Sequence, residues 1–238
     1  MKKILMVAAS PSVSTTTGWP VGFWASELIH PYDAFRARGC EVTVASPRGG
    51  RMEVDAYSDP RDPSGYSKDD ALSLKYLEDA AFQLALASTV PVAELSPDSF
   101  DAIVVVGGQS PMFTFQAEKA LQDLFLAFHA VGKPSAALCH GTCLLLYLKK
   151  SDGSAFVAGR RMTGFANSEE DFADRAVGRK LMPFRIEDEA RKLGARYEAA
   201  AAFQPFALRD GNLITGQQQH SGGEVAAQVI AALEGGRS

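Results

Sequence analysis

The chain's 238 residues are 46% hydrophobic and 22% charged, a balance suited to a soluble globular protein that buries one large α/β core or two small ones. Lys and Arg (24) against Asp and Glu (28) give a net charge of −4, and no basic run is long enough to grip a phosphate backbone, which argues against nucleic-acid partners. No stretch approaches the roughly 18 apolar residues of a membrane span, and an odd number of cysteines, 3, speaks against a disulfide framework and for a reducing, cytoplasmic setting.

Met1-Lys2-Lys3 before Ile4 to Ala9 has the basic-then-apolar order of a secretory leader. The apolar run is short, however, and Ser10-Pro11-Ser12 offers no cleavage pattern, so Lys3 to Ala9 reads as a buried strand. Helical spacing of Phe23, Leu28, Tyr32 and Phe35 predicts a helix from about Phe23 to Arg38, kinked or broken at Pro31 and closed by Gly39. Glu41 to Ser46 is a short β-branched strand stopped by Pro47 and Gly49-Gly50. Strand, helix, strand is the order of a βαβ unit on a parallel sheet.

A polar loop, Arg51 to Lys68, precedes a helix expected from Asp69 to Ala87. Asp101 to Val106 is a buried strand closed by Gly107-Gly108, and Ala117 to Ala130 is helical. Lys133 to Leu138 is strand-like, and the apolar run Thr142 to Leu148 is helix-like. Later come short strands (Arg161 to Gly164, Asn212 to Thr215) and helices (Phe184 to Leu193, Gly222 to Leu233). This alternation without a linker predicts one α/β domain over residues 1–238, with a doubly wound, mostly parallel sheet flanked by helices as a flavodoxin-like three-layer sandwich. Ligands of such sheets bind beyond the carboxyl ends of the strands.

Between the strand ending at Leu138 and the run from Thr142 stands Cys139-His140-Gly141. A reactive side chain at a sharp strand-to-helix turn is the arrangement of a nucleophile elbow. The new helix's N-terminus would favour the thiolate of Cys139. Cys143, one turn on, and Cys40 read as packing residues. The His140 backbone N–H suits an oxyanion hole, and its imidazole suits a base or acid if a carboxylate orients it. Gly107-Gly108 ends a buried strand, where the backbone can approach a ligand and supply a second N–H donor. By spacing alone Glu27 reads as an exposed helix-surface residue, and Glu169-Glu170-Asp171 as a solvated acidic run at a helix start. Trp24, Phe23, Met112, Phe113 and Phe115 are candidate pocket walls. The 4 histidines are scattered, with no zinc-site spacing.

These motifs together resemble the ThiJ/PfpI superfamily, with its class I glutamine-amidotransferase-like fold, and within it the branch of small heat-shock chaperone-glyoxalases. The likeness runs from Thr17-Gly18 through Glu27 and His30-Pro31 to Val44-Ala45-Ser46-Pro47-Arg48-Gly49-Gly50. It continues through Gly107-Gly108, Ala137-Leu138-Cys139-His140-Gly141, Met162-Thr163-Gly164-Phe165 with Glu169-Glu170, and Leu213-Ile214-Thr215-Gly216-Gln217. The resemblance implies that Cys139 is the nucleophile and that Glu27 touches its sulfur and transfers protons. It also implies a Cys-His-acid triad of Cys139, His140 and Glu170, with Glu169 as the fallback, and backbone oxyanion donors at Gly108 and His140. Departures from the branch pattern, Gln109-Ser110, Phe113 and Gln218-Gln219-His220, fall at the expected pocket mouth near Trp24.

The implied activity is a cofactor-free, metal-free cysteine enzyme acting on a small-molecule carbonyl, as in the glyoxalase III-like conversion of methylglyoxal to lactate, in a homodimer. Rival readings are a cysteine hydrolase or peptidase, a hydratase of another small electrophile such as an isonitrile, and a stress chaperone or redox sensor with an oxidisable Cys139.

Overall fold

The computed structural model describes residues 1–235. Its central strands are β1 (Lys3–Val7), β2 (Glu41–Ser46), β3 (Val90–Pro91), β4 (Ala102–Val105), β5 (Ser135–Leu138), β6 (Ala207–Asp210) and β7 (Leu213–Gly216). They form one sheet in the order β6-β7-β5-β4-β1-β2-β3, parallel throughout except for the β6–β7 pair. The main helices are α1 (Ala25–Ala37), α2 (Ala71–Glu78), α3 (Ala80–Ala87), α4 (Lys119–Ala130), α5 (Asn167–Val177), α6 (Ile186–Lys192) and α7 (Gly222–Gly235).

Strand alternation divides the apolar residues between two cores, which makes the sheet the middle layer of a sandwich. Ile4, Met6, Val104, Val106, Ala136 and Leu138 meet α1, α2, α3 and α7 on one face. Leu5, Val7, Ile103, Val105, Ala137 and Cys139 meet α4, α6 and Leu144–Leu146 on the other. Each buried Leu, Ile or Phe contributes ~1.5–3 kcal/mol. The expected α/β sandwich is therefore present, and both its faces are covered. The chain passes from β1 to β2 on one side and returns through β4 on the other. The resulting switch point lies at the carboxyl ends of β1 and β4, next to the end of β5.

Several boundaries differ from the sequence reading for local reasons. The single helix expected from Asp69 to Ala87 is two, because the Asp79 carboxylate accepts the Phe82 N–H at 2.7 Å and starts a new helix. Pro31 does not break α1, which continues through it, and its ring packs against Gly222 of α7. The run from Thr142 begins as a 3-10 turn, Cys139–Cys143, followed by one α-helical turn, Leu144–Tyr147. Arg161–Met162 pairs with Arg196–Tyr197 outside the main sheet. The edge strands β3 and β6 were not anticipated, since they are short and lack the apolar runs of the central strands. Among the described residues no helix is long and apolar enough to cross a membrane.

Candidate active site

Cys139 leaves β5 with φ +54° after an extended Leu138, the sharp turn expected of the elbow. A left-handed backbone at a residue with a side chain costs ~1–3 kcal/mol and persists only where the surroundings impose it. Three contacts impose it here. The Thr142 hydroxyl donates to the Cys139 carbonyl at 2.7 Å. Gly141 lies so close to β4 that a Cβ there would come within 2.6 Å of the Val106 carbonyl oxygen. A Cβ on Gly164 would meet the Thr142 hydroxyl itself. The turn is thus wedged between β4 and the Thr163–Ala166 loop, and the thiol is 3% exposed.

Glu27 sits in the first turn of α1 and is fully buried, not exposed as its spacing suggested, because α1 lies between the sheet, α2 and α7. Its Oε2 accepts the Gly107 N–H at 2.9 Å, its Oε1 is buried without a hydrogen-bond partner, and the carboxyl neighbours the Cys139 thiol. Burial pushes Glu27 up to about 8, against the pull of the Cys139 thiol and the Gly107 N–H beside it. Burial, and then the neighbouring Glu27 charge, push the Cys139 thiol up as well, while the His140 backbone N–H opposes them. The expected lowering of the thiol by a helix N-terminus is therefore outweighed, since a 3-10 turn and one α-turn make a weak dipole and desolvation is large.

His140 stands between the nucleophile and an acid. Its Nδ1 lies 3.7 Å from Cys139 Sγ, and its Nε2 lies 3.0 Å from Glu170 Oε1. Both side chains of this pair are buried, at 8% and 2% exposure. The Phe165 ring covers the imidazole at 4.2 Å. Of the two adjacent glutamates, the geometry gives His140 to Glu170. Glu169 is committed elsewhere: Oε2 accepts the Ala166 N–H, and Oε1 accepts from the Phe203 N–H and the Gln217 amide. Neither is solvated, contrary to the reading of an acidic run, because the loops around Phe165 and Phe203 cover the start of α5.

The two glycine turns converge on the same point. A Cβ on Gly107 would lie 2.6 Å from Glu27 Oε2 and 2.9 Å from the N atoms of His140 and Gly141. Gly108 has φ +100° and presses against the backbone of Phe23 and Trp24, which only glycine allows. Asp55, from the polar loop, was not anticipated. It is 1% exposed, accepts the N–H groups of Gly22 and Gln109, and is raised to about 6 by burial. It holds the chain just after Gly108 in place. Nothing in the sequence singled it out, because the same loop also carries Glu53, Asp59 and Asp62.

A cavity of about 190 Å³ opens over Cys139, His140 and Glu170. Trp24 and Gln109 are among its lining residues. Ser110 does not, since it is fully buried and its hydroxyl donates to the Ser10 carbonyl at 2.7 Å. Phe113, on the short helix Pro111–Thr114, packs against the core and does not line the cavity. His220 faces a separate depression with His30 and Asp70, and its neighbour Gln219 reaches the cavity instead. The rings of Trp19, Tyr57, Tyr66, Phe172 and Phe203 complete the walls. No spacing pattern marked them, because they come from segments distant in the chain. Cys143 and Cys40 are buried in the two cores as expected. Among the described residues, no group of three or more His, Cys, Asp or Glu side chains is placed to hold a metal ion.

Comparison with known proteins agrees with this architecture. The family model for the DJ-1/PfpI family matches residues 20–232. A curated relative, the glutathione-independent glyoxalase HSP31 of Saccharomyces cerevisiae, is 29% identical over 239 residues, covering 98% of each chain. The crystal structure of glyoxalase III from Candida albicans superposes with a TM-score of 0.80 at 25% identity, covering 97% of each chain. The Rapid Encystment Protein 24 kDa of Francisella tularensis superposes with a TM-score of 0.87 at 27% identity over 98% of this chain and 99% of its own.

Proposed function

The chain belongs to the DJ-1/PfpI family, and from that premise we propose that it is a cofactor-free, glutathione-independent glyoxalase, converting a 2-oxoaldehyde such as methylglyoxal to the 2-hydroxy acid, lactate. The observation that carries this reading is a fully buried Glu27, its Oε2 held by the Gly107 N–H at 2.9 Å, standing beside the Cys139 thiol, with burial raising its proton affinity to about 8. Interconverting an aldehyde–ketone pair requires a nucleophile on one carbon and a group able to lift a proton from that carbon and return it to the next. A carboxyl with that affinity exchanges protons readily at working pH.

In this reading the Glu27 carboxylate accepts the thiol proton as Cys139 Sγ attacks the aldehyde carbon. The developing oxyanion is held by the backbone N–H groups of Gly108 and His140 and then takes the proton from Glu27, giving a hemithioacetal. Glu27 next removes the hydrogen on that carbon, and the electron pair moves through an enediol. Reprotonation of the neighbouring carbon leaves a thioester of the 2-hydroxy acid. His140, oriented by Glu170, deprotonates a water that attacks the thioester; the carbon–sulfur bond breaks and the thiol regains its proton. One water is consumed. The aldehyde carbon is oxidised as the ketone carbon is reduced, so no external oxidant is needed.

All three cysteines are free, which suits the reducing, cytoplasmic setting included in the proposal, as is assembly into a homodimer. The test is methylglyoxal turnover by the purified chain without glutathione, with lactate quantified as product. Stoichiometric lactate supports the reading. No lactate, with Cys139 still open to alkylation, would discard it in favour of a hydrolase, another hydratase or a redox role.

Glu170→Gln keeps a hydrogen-bond partner for His140 but removes the charge that supports an imidazolium. It is expected to lower kcat/KM for methylglyoxal about 10²-fold. A variant within a factor of two of wild type would remove His140 and Glu170 from the proton path.

A further inference from the structure

The cavity over Cys139 is larger and more apolar than a three-carbon substrate requires. One water needs ~10–15 Å³ of such space, and about 190 Å³ is open here. On one side Trp19, Tyr57, Tyr66 and Trp24 form a continuous arc, with successive ring centroids 6.3, 6.4 and 5.9 Å apart. On the other, Phe172 of α5 meets Phe203 edge to face at 5.0 Å.

Three further features mark these walls as built for a ligand. Of the 8 large hydrophobic side chains exposed among the described residues, three, Tyr57, Tyr66 and Phe172, line this one cavity. Phe172 is 47% exposed on α5, a position core packing does not explain. Phe203 has a left-handed backbone, φ +62°, held by its N–H bond to the buried Glu169 carboxylate at 3.0 Å. Strain of this kind is retained where the surroundings dictate a side chain's place, and here it sets the ring at the rim. No Lys or Arg of the described residues lines the cavity, so no permanent cation there would pair with a phosphate or carboxylate on the substrate.

We propose that the preferred substrate is a 2-oxoaldehyde carrying a bulky, uncharged, preferably aromatic group, which the enzyme converts with one water to the 2-hydroxy-2-aryl acid. This rests on the glyoxalase reading above. The dicarbonyl end sits at Cys139, and the aryl group lies between the arc of rings and the Phe172–Phe203 pair, where edge-to-face contacts are favourable. These contacts are the same in ground and transition states, so they lower KM more than they raise kcat.

The test compares initial rates on phenylglyoxal and methylglyoxal, measured as mandelate and lactate, for the wild type and for Phe172→Ala, whose exposed site makes loss of folding a minor concern. The wild type is expected to favour phenylglyoxal ~10–100-fold in kcat/KM, and Phe172→Ala to lower that preference about 3- to 10-fold. Comparing enzymes on the same two substrates cancels their intrinsic reactivities. A readout without turnover accompanies it: acetophenone, but not acetone, is expected to slow iodoacetamide alkylation of Cys139. Methylglyoxal turnover that equals or exceeds phenylglyoxal turnover, or a preference untouched in Phe172→Ala, overturns the proposal and leaves the glyoxalase reading standing. Acetophenone protection with no hydroxy acid from either aldehyde overturns the glyoxalase reading and keeps the aryl pocket. Neither turnover nor protection overturns both.

Discussion

Cys139→Ala is expected to lower methylglyoxal turnover by at least ~10⁴-fold while the protein stays folded. The reaction as proposed passes through covalent bonds to Sγ at both the hemithioacetal and thioester stages, so no residual path remains once sulfur is gone. Units of this kind lose most of their rate when the nucleophile alone is removed. The fold tolerates the change because alanine fits the same small space and accepts the same φ of +54° at no greater strain. The Thr142 and Gly141 contacts that hold the turn are to the backbone and survive. Steady-state lactate production together with a thermal melt checks both halves. Activity within tenfold of wild type would end the role assigned to Cys139.

Glu27→Gln is expected to lower turnover ~10³-fold and yet to stabilise the protein at alkaline pH. Glutamine still offers an oxygen to the Gly107 N–H but has no proton to move between the two carbons. The stability effect follows from linkage. Burial raises Glu27 from 4.5 to about 8, so the folded state binds its proton more tightly than the unfolded state. Its contribution to stability is full below pH 4.5, declines as pH rises through that interval, and is lost above about 8. Glutamine does not titrate and carries no such loss. Relative to wild type, the variant therefore gains on the order of a few kcal/mol between pH 4.5 and 9, or ~5–10 °C in melting temperature for a chain of this size.

The same titration sets the rate profile. Wild-type kcat/KM rises with pH to a plateau above about 8, as Glu27 becomes the carboxylate that accepts the thiol proton, and this limb is absent in Glu27→Gln. Calorimetry at pH 5 and 9 and a pH–rate profile measure the two effects. A variant equally active, or one whose stability difference does not change with pH, would remove Glu27 from the proposed chemistry.

The cost of keeping Glu27 buried explains why its spacing misled. In Ala25-Ser26-Glu27-Leu28-Ile29 a glutamate among small and apolar residues on a helix ordinarily turns to water. Only the packing of α1 between the sheet and α7, with Gly107 supplying an N–H, accounts for a carboxyl held there. The pair Glu169-Glu170 was ambiguous for a related reason. Adjacent residues on a helix point in different directions, so chain position could not decide which carboxylate meets His140 and which is spent on Phe203 and Gln217.

What the sequence determined by itself is local. Short continuous apolar or β-branched runs and helical spacing specified the central strands β1, β2, β4 and β5 and the order of the layers, because those patterns depend on residues a few positions apart. Ala137 to Gly141 specified the elbow, because a strand, a sharp turn and a glycine at the close approach are neighbours in the chain. The tertiary structure alone decided the burial of Glu27, the choice of Glu170, the bracing by Asp55, and the exclusion of Ser110, Phe113 and His220 from a cavity walled instead by Trp19, Tyr57, Phe172 and Phe203. These depend on which loops meet at the carboxyl edge of the sheet, tens of residues apart. There, desolvation and hydrogen-bond satisfaction, which no local pattern records, set the proton affinity and orientation of each side chain.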